Sequence, residues 1–351
     1  MRIISALAAV FALLGAWPSA AAAARPTEVR VVIVATWEAE KGDADVLGEL
    51  HAWRTLWPLT VRLPFPAGNH VLWYDPRRHV LAIVTGMATA RAAASIMALG
   101  LDPRFDLSHA YWIVAGTAGV DPKAASAGST AWARHVIDGD LAQELDPRDA
   151  PGWPTGIVPY DRTTPYQAPA PPMQSRTANV GYALNPALVD WAFARSRATP
   201  LPDDAVLASL RAPYSGPGAR PPFVLEGDGL MSARNWYGER LNDWAEQWVA
   251  YWTGGKGVFA MSAEEDTGIL QGLTQLAGAG RARLDRVLVL RAGSDYTVPP
   301  PGVSATDFLA HETAGGFPAT PEALANLYAV AAPIARFLAD DWAHTKAKTP
   351  G

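Results

Sequence analysis

The chain of 351 residues has no cysteine. Disulfides, thiolate metal ligands and cysteine-linked lipid anchors are thereby excluded, and stability has to come from a packed core. Charge is also sparse. Asp, Glu, Lys and Arg make up 18% of the residues and the formal net charge is −5, which provides no general attraction for nucleic acid or anionic lipid. Beyond the N-terminal region no apolar run approaches the roughly 20 residues that span a bilayer. The chain also lacks a G-x-S-x-G nucleophile elbow, and "TGGKG" at 253–257 does not have the spacing of a phosphate-binding P-loop. His311-Glu312 is not followed by the second histidine of a zinc-protease helix, and His51, His70, His79, His109 and His135 stand singly, so no metal site is expected.

What is present describes a folded, loop-rich protein: 49% hydrophobic residues, 30 Gly, 30 Pro and 14 Trp. Residues 1–24 read as a cleaved secretory signal, with Arg2, an apolar run at 3–16, and Pro18 before a small-residue stretch cut among Ala20 to Ala24. The mature chain is therefore expected outside the cytoplasm, secreted or periplasmic, as one domain over 25–351. Within it, 151–172 carries too many prolines for regular structure and reads as a loop or flap.

Short β-branched runs without clean alternation recur at 31–35, 80–85, 111–115, 133–137, 258–261 and 287–290, as expected of strands buried on both faces. Helical patterns lie between several of them. One covers 88–99, with Gly100 as its C-terminal cap, and another covers 267–276. A third covers 232–252, where Leu241, Trp244, Ala245, Trp248, Val249 and Trp252 share one face, a stripe read as core packing. A long helix is expected from Thr320 to about Trp342, kinked at Pro333. Strands alternating with helices predict an α/β protein built on a sheet.

The chemistry-bearing residues fall where such folds place ligands, beyond the carboxyl ends of strands. Asp295 follows the run at 287–290, Glu38 and Glu40 follow the first strand, and Glu264, Glu265 and Asp266 follow 258–261. Glycine turns at 85–88 and 115–122 follow two more strands, where glycine lets backbone N–H groups approach an oxygen-rich ligand. A single acid after a strand is more often a helix cap or a surface ion-pair partner. Several at equivalent places form a site hypothesis.

The stretches "WEAE", "TGMATARAAAS", "IVAGTAGVDP", "GDGLMSARNWYGERLNDWAEQW", "AEEDTG", "LRAGSD" and "GGFPATPEALANLY" resemble the purine nucleoside permease (NUP) family from Arg30 nearly to the C-terminus. That family is similar in turn to the nucleoside phosphorylase/nucleosidase superfamily, which implies a central mixed β-sheet flanked by helices. By this resemblance Asp295 matches the acid that protonates the purine leaving group, with Ser294 beside it. Glu265 matches the glutamate that holds the ribose hydroxyls, and Glu40 the glutamate near the attacking water. Thr117, Ala118 and Gly119 match the turn beside base and ribose, and Gly86 the turn at the anion or water site. Asp228 precedes the segment that supplies an aromatic partner to the base, for which Trp236 and Tyr237 are the candidates. Glu264 stands where the superfamily has methionine. Arg91, Arg134 and Arg220 are the candidates for a phosphate site.

The resemblance implies an extracytoplasmic purine nucleoside-binding protein, implicated in nucleoside uptake and able to cleave the N-glycosidic bond. Hydrolysis is favoured over phosphorolysis, in which phosphate would be a co-substrate; no other cofactor is expected. The alternative is a non-catalytic binding component that hands its nucleoside to a separate membrane transporter, and a scaffold with a decayed site is a third reading. A homodimer is expected from the superfamily's habit of oligomerising.

Overall fold

The computed structural model describes residues 25–38, 48–174 and 179–351. The expected leader at 1–24 and Glu40 lie outside the described residues. Twelve strands join in one sheet: β1 (Val31–Ala35), β2 (Val61–Leu63), β3 (Leu72–Asp75), β4 (Val80–Val84), β5 (Tyr111–Val120), β6 (Thr130–Trp132), β7 (His135–Asp138), β8 (Gly181–Ala183), β9 (Val224–Glu226), β10 (Asp228–Met231), β11 (Phe259–Ala263) and β12 (Val287–Tyr296). The continuous path runs β8-β7-β10-β11-β5-β1-β4-β3-β2, and β12 joins β5 and carries β6, which carries β9. Both parallel and antiparallel pairs occur along it, so the sheet is mixed. Every residue of β1, β4 and β12 is buried, which is why β1, β4 and the first four residues of β12 read as continuous apolar segments.

The sheet forks at β5. β12 lies beside β5 from Trp112 to Val120. A strand has two edges, so β1 and β11 must share the other one. β1 pairs with Tyr111 to Val114, and β11 pairs antiparallel with Gly119 and Val120. Between them, residues 115–118 have no strand partner on that edge. This explains why β5 continues through "GTAGV", which sequence reading assigns to a turn: both edges of its far end are held by β11 and β12. β12 likewise runs to Tyr296, so Asp295 lies inside a strand rather than after one.

The principal helices are α1 (Thr89–Gly100), α2 (Pro186–Ser196), α3 (Ala205–Arg211), α4 (Glu239–Trp252), α5 (Asp266–Gly278), α6 (Ala305–Gly315) and α7 (Thr320–Asp340). α7 continues through Pro333 and packs along β12 and β5. α4 begins at Glu239 rather than Ser232 because 232–238 is otherwise employed. Ser232 and Ala233 both donate to the Asp140 carboxylate, at 2.6 Å each, and Gly238 has a φ of 122°. Its Trp244, Ala245, Trp248, Val249 and Trp252 are buried with Ile137, Leu230 and Phe259 in a second, smaller core, as the stripe predicts. Residues 151–172 form turns apart from Ile157–Val158, which pairs with Gln143–Glu144. No helix among the described residues is long and apolar enough to cross a membrane.

α1 and α5 touch through glycine. A methyl group at Gly268 would overlap the Thr89 carbonyl, one at Gly272 would lie 2.9 Å from Ile96 Cγ2, and one at Gly100 would overlap Leu276. Gly100 is thus a packing position inside its helix rather than the expected cap. Because the obstacle at Gly268 is backbone, the helices cannot yield by changing a rotamer. Gly268→Ala should destabilise the fold by about 3 kcal/mol, measured by urea unfolding; a loss below about 0.5 kcal/mol would mean that this contact is slack.

Candidate active site

Asp295 is placed by a β-bulge. Gly293 pairs with Ala118 and Asp295 with Gly119, leaving Ser294 as the extra residue. Such a bulge bends a strand and re-aims a side chain. The Asp295 carboxyl accepts from Tyr237 Oη at 3.0 Å and from Ser294 Oγ at 3.1 Å. Burial pushes it up to about 6, and these two hydrogen bonds oppose the push. Its hydrogen-bond donors are neutral hydroxyls, so desolvation wins. Tyr237 is held above the ordinary phenol range by burial and by Asp295.

The unpaired edge of β5 is occupied by side chains. Glu49, 4% exposed, accepts at Oε1 from the Thr117 N–H at 2.7 Å and the Thr117 hydroxyl at 3.1 Å. Its Oε2 accepts from the Thr36 N–H at 2.5 Å, the Thr36 hydroxyl at 3.0 Å and the Trp37 N–H at 3.1 Å. One carboxylate thus serves the end of β1 and the gap in β5. The Thr117 carbonyl accepts from Arg291 Nη1 at 2.9 Å. Arg291 reaches it across Gly116, where a methyl would collide with the guanidinium and lie 2.9 Å from Glu49 Oε1.

The rest of the Arg291 guanidinium is filled by the head of α5. Nε donates to Asp266 Oδ2 at 3.1 Å, and Nη2 donates to Glu265 Oε2 at 3.0 Å and to Asp266 Oδ1. Glu265 Oε1 accepts from the Ala88 N–H at 3.3 Å, at the turn that Gly86 opens with a φ of 86°. Burial pushes Glu265 up to about 7; Arg291 opposes, while Glu49 and Asp266 add to the push. Burial alone would lower Arg291, but the charges of Asp266 and Glu265 outweigh it and hold the guanidinium cationic. Three acids therefore share one cation.

The fold thus brings Gly86, Thr117, Glu265 and Arg291 into one connected cluster. Ala118, Gly119, Ser294 and Asp295 lie beside it along the same two strands, and Tyr237, from the segment before α4, reaches Asp295. A methyl at Gly119 would sit 3.7 Å from Asp295 Oδ2. Asp228 is placed elsewhere: at the start of β10, it accepts from the backbone N–H groups of Arg134, His135 and Val258. Trp236 packs on Trp244 and Phe259. Glu38 accepts from the Leu50 N–H at 3.2 Å. Of the arginines considered for phosphate, Arg134 is paired with Asp190 and Glu226, Arg220 stacks on Phe223, and Arg91 donates to the Met87 carbonyl. Sequence reasoning missed Glu49, because nothing local marks it: its partners are Thr36 and Thr117.

A cavity of about 340 Å³ opens beside Asp295. Ser294, Asp295 and Tyr296 form one wall, Tyr214 and Leu210 another, and Phe308 and Glu312 of α6 a third. Gly86, Thr117 and Glu265 are not part of its lining.

The model of the family described as purine nucleoside permease (NUP) matches residues 28–350. A probable purine nucleoside permease of Schizosaccharomyces pombe is 30% identical over 77% of this chain and 78% of its own length. A purine nucleoside permease of Candida albicans is 28% identical over 75% of this chain and 64% of its own length. Among solved structures, a 5'-methylthioadenosine/S-adenosylhomocysteine nucleosidase of Helicobacter pylori superposes with a TM-score of 0.52 at 10% identity, covering 90% of this chain and 98% of that one. A futalosine hydrolase of the same organism gives 0.50 at 11% identity, covering 88% and 98%. These structural likenesses show a shared fold, the nucleosidase-like mixed sheet with flanking helices.

Removing the shared cation should leave Glu49, Glu265 and Asp266 buried against one another. Arg291→Leu is expected to cost about 3–5 kcal/mol, read by chemical denaturation. A cost under about 1 kcal/mol would show that the fork does not depend on this cluster.

Proposed function

Because the chain belongs to the purine nucleoside permease (NUP) family, we propose that it binds purine nucleosides outside the cytoplasm and cleaves their N-glycosidic bond with water. The observation that carries this reading is Asp295: a buried carboxyl at the wall of a cavity, without a cation among its hydrogen-bond partners and pushed up to about 6 by burial. Cleavage leaves negative charge on the departing base and positive charge on the sugar. An acid that keeps its proton suits the first, and an acidic cluster suits the second. In this scheme Asp295 protonates the base, Tyr237 and Ser294 orient it, and Glu265 meets the sugar. Gly86, Thr117, Ala118 and Gly119 form the backbone floor. Glu40 keeps its proposed place near the attacking water. Asp228 and Trp236, engaged in backbone capping and core packing, are positioning residues at most.

Hydrolysis is favoured over phosphorolysis because the sugar end is already rich in carboxylates. Arg291 is filled by its protein partners, so a phosphate dianion would meet repulsion there. The leader pattern at 1–24 supports the location. A second reading, a binding component that passes its ligand to a separate membrane transporter, is favoured by one observation: the cavity at Asp295 does not reach Glu265. A homodimer remains part of the proposal and is checked by the solution mass.

Purified mature protein incubated with inosine or adenosine should release free base at the same rate with or without phosphate. Nucleoside binding without release would favour the second reading, and neither binding nor release would end both. Asp295→Asn should lower kcat by about 10²–10⁴-fold; an undiminished rate would remove the assigned role.

The activity of the wild type should fall as pH rises through about 6, where Asp295 loses its proton. The same group acts on stability. A carboxyl raised in the folded state contributes fully below about pH 4, its unfolded value, and that contribution is lost as pH rises through about 6. Asp295→Asn should therefore flatten part of the fall in Tm over that range. A fall as steep as that of the wild type would show that Asp295 is not titrating there.

A further inference from the structure

The cavity beside Asp295 has a second acid on its wall, and protonation of a leaving group at Asp295 has no use for it. Glu312, on α6, is 2% exposed, and its Oε2 is buried without a hydrogen-bond partner. Buried polar groups are almost always satisfied within a fold, so an orphaned carboxyl facing a cavity points to something that enters the cavity. Burial pushes Glu312 up to about 7, and the charge of Asp295 adds to the push. The two acids therefore sense each other across the same space.

The remaining walls suit a flat ring. Tyr214 stacks on Tyr296 with centroids 4.0 Å apart and planes 27° from parallel. Both hydroxyls are committed to backbone carbonyls, Tyr214 to Val298 and Tyr296 to Gly218, so they present rings rather than polar groups. Phe308, Val303 and Pro300 complete an apolar slot. An apolar slot with a few convergent polar groups is the usual form of a small-molecule site.

We propose that Glu312 reads the base: it accepts a hydrogen bond from an N–H group on the six-membered edge of a purine held between Asp295 and α6. The inference rests on the function proposed above. If Asp295 serves the five-membered ring, where the sugar is attached, the opposite edge of the purine points into the cavity, toward α6. A 6-oxopurine offers its ring N–H there, and a 6-aminopurine offers its amino N–H. Unsubstituted purine offers neither and would leave the buried carboxyl unpaired. A site built to pair with such a group discriminates strongly against the analogue that lacks it.

The test is binding of inosine, adenosine and purine riboside to the wild type, Glu312→Leu and Glu312→Gln, read by stopped-flow tryptophan fluorescence before the nucleosides are turned over. The wild type should bind inosine or adenosine at least about tenfold more tightly than purine riboside. Glu312→Leu should lose that preference while its Tm rises, since an orphaned acid has been replaced by an apolar side chain. Should Glu312→Leu fail to fold, Glu312→Gln decides. It keeps the shape but only a neutral acceptor, and the preference should shrink by about threefold or more. Equal binding of all three nucleosides by the wild type, or a preference that survives unchanged in the variants, would overturn the role of Glu312 and leave the proposed function standing. Binding of none of them by the wild type would overturn both.

Discussion

Thr117 sits where two strands compete for one edge of β5, and what makes this arrangement tenable is that Glu49 and Arg291 each take up one of its backbone groups. A strand residue with no neighbour has an N–H and a carbonyl to satisfy away from water. Here Glu49 takes the N–H and Arg291 the carbonyl. Two charged side chains, each bonded to Thr117, substitute for a stretch of missing strand, and only because Gly116 leaves room for them. Buried charge is expensive, and a more economical fold would close the fork with a longer β1 or β11. The open fork places acids at the centre of the sheet.

From this constraint the position of Glu265 follows. The Arg291 that serves Thr117 also grips Asp266 and Glu265 at the head of α5. Glu265 in turn takes the Ala88 N–H at the head of α1. The glycine contacts between α1 and α5 hold those two helix starts together, since Gly268 lies directly against Thr89. Helix packing, the strand fork and the acidic cluster are thus one mechanical unit. A change in any of them should be felt at the carboxylates first.

Much of this was legible in the sequence, and the reasons for the rest are physical. Strands such as β1 and β4 show themselves because burial on both faces leaves an unbroken apolar run, and the tryptophans of α4 because their spacing is helical. Asp295 and Glu265 stand out beside such runs, and the resemblance of "LRAGSD" and "AEEDTG" to a known family gives them roles. What could not be read is what depends on non-local pairing. "GTAGV" looks like a turn until β11 and β12 are known to hold both of its edges. The bulge at Ser294 is a matter of register against β5, which a single strand does not encode. Glu49 has no local signature because it acts on residues 13 and 68 positions away. Glu312 was visible only as half of a motif that it does not complete, and its isolation within the cavity becomes plain only when α6 is laid over Asp295.

The two ends of the proposed site differ in what they lack. At Asp295 the neighbours that donate are hydroxyls, so the carboxyl is short of a stabilising charge and tends to keep its proton. At Glu265 a cation is present, but it is divided among Glu49, Glu265 and Asp266. Such a cluster is improved by any positive charge that arrives and worsened by any negative one. A sugar losing its base becomes such a positive charge for the lifetime of the transition state, and water brings no charge to that encounter. Phosphate would bring two negative charges into a region whose guanidinium is already engaged through all three nitrogens. The proposed choice of water over phosphate thus rests on the same cluster that closes the fork in the sheet. A phosphorolytic relative with this fold would have to free that arginine or supply another.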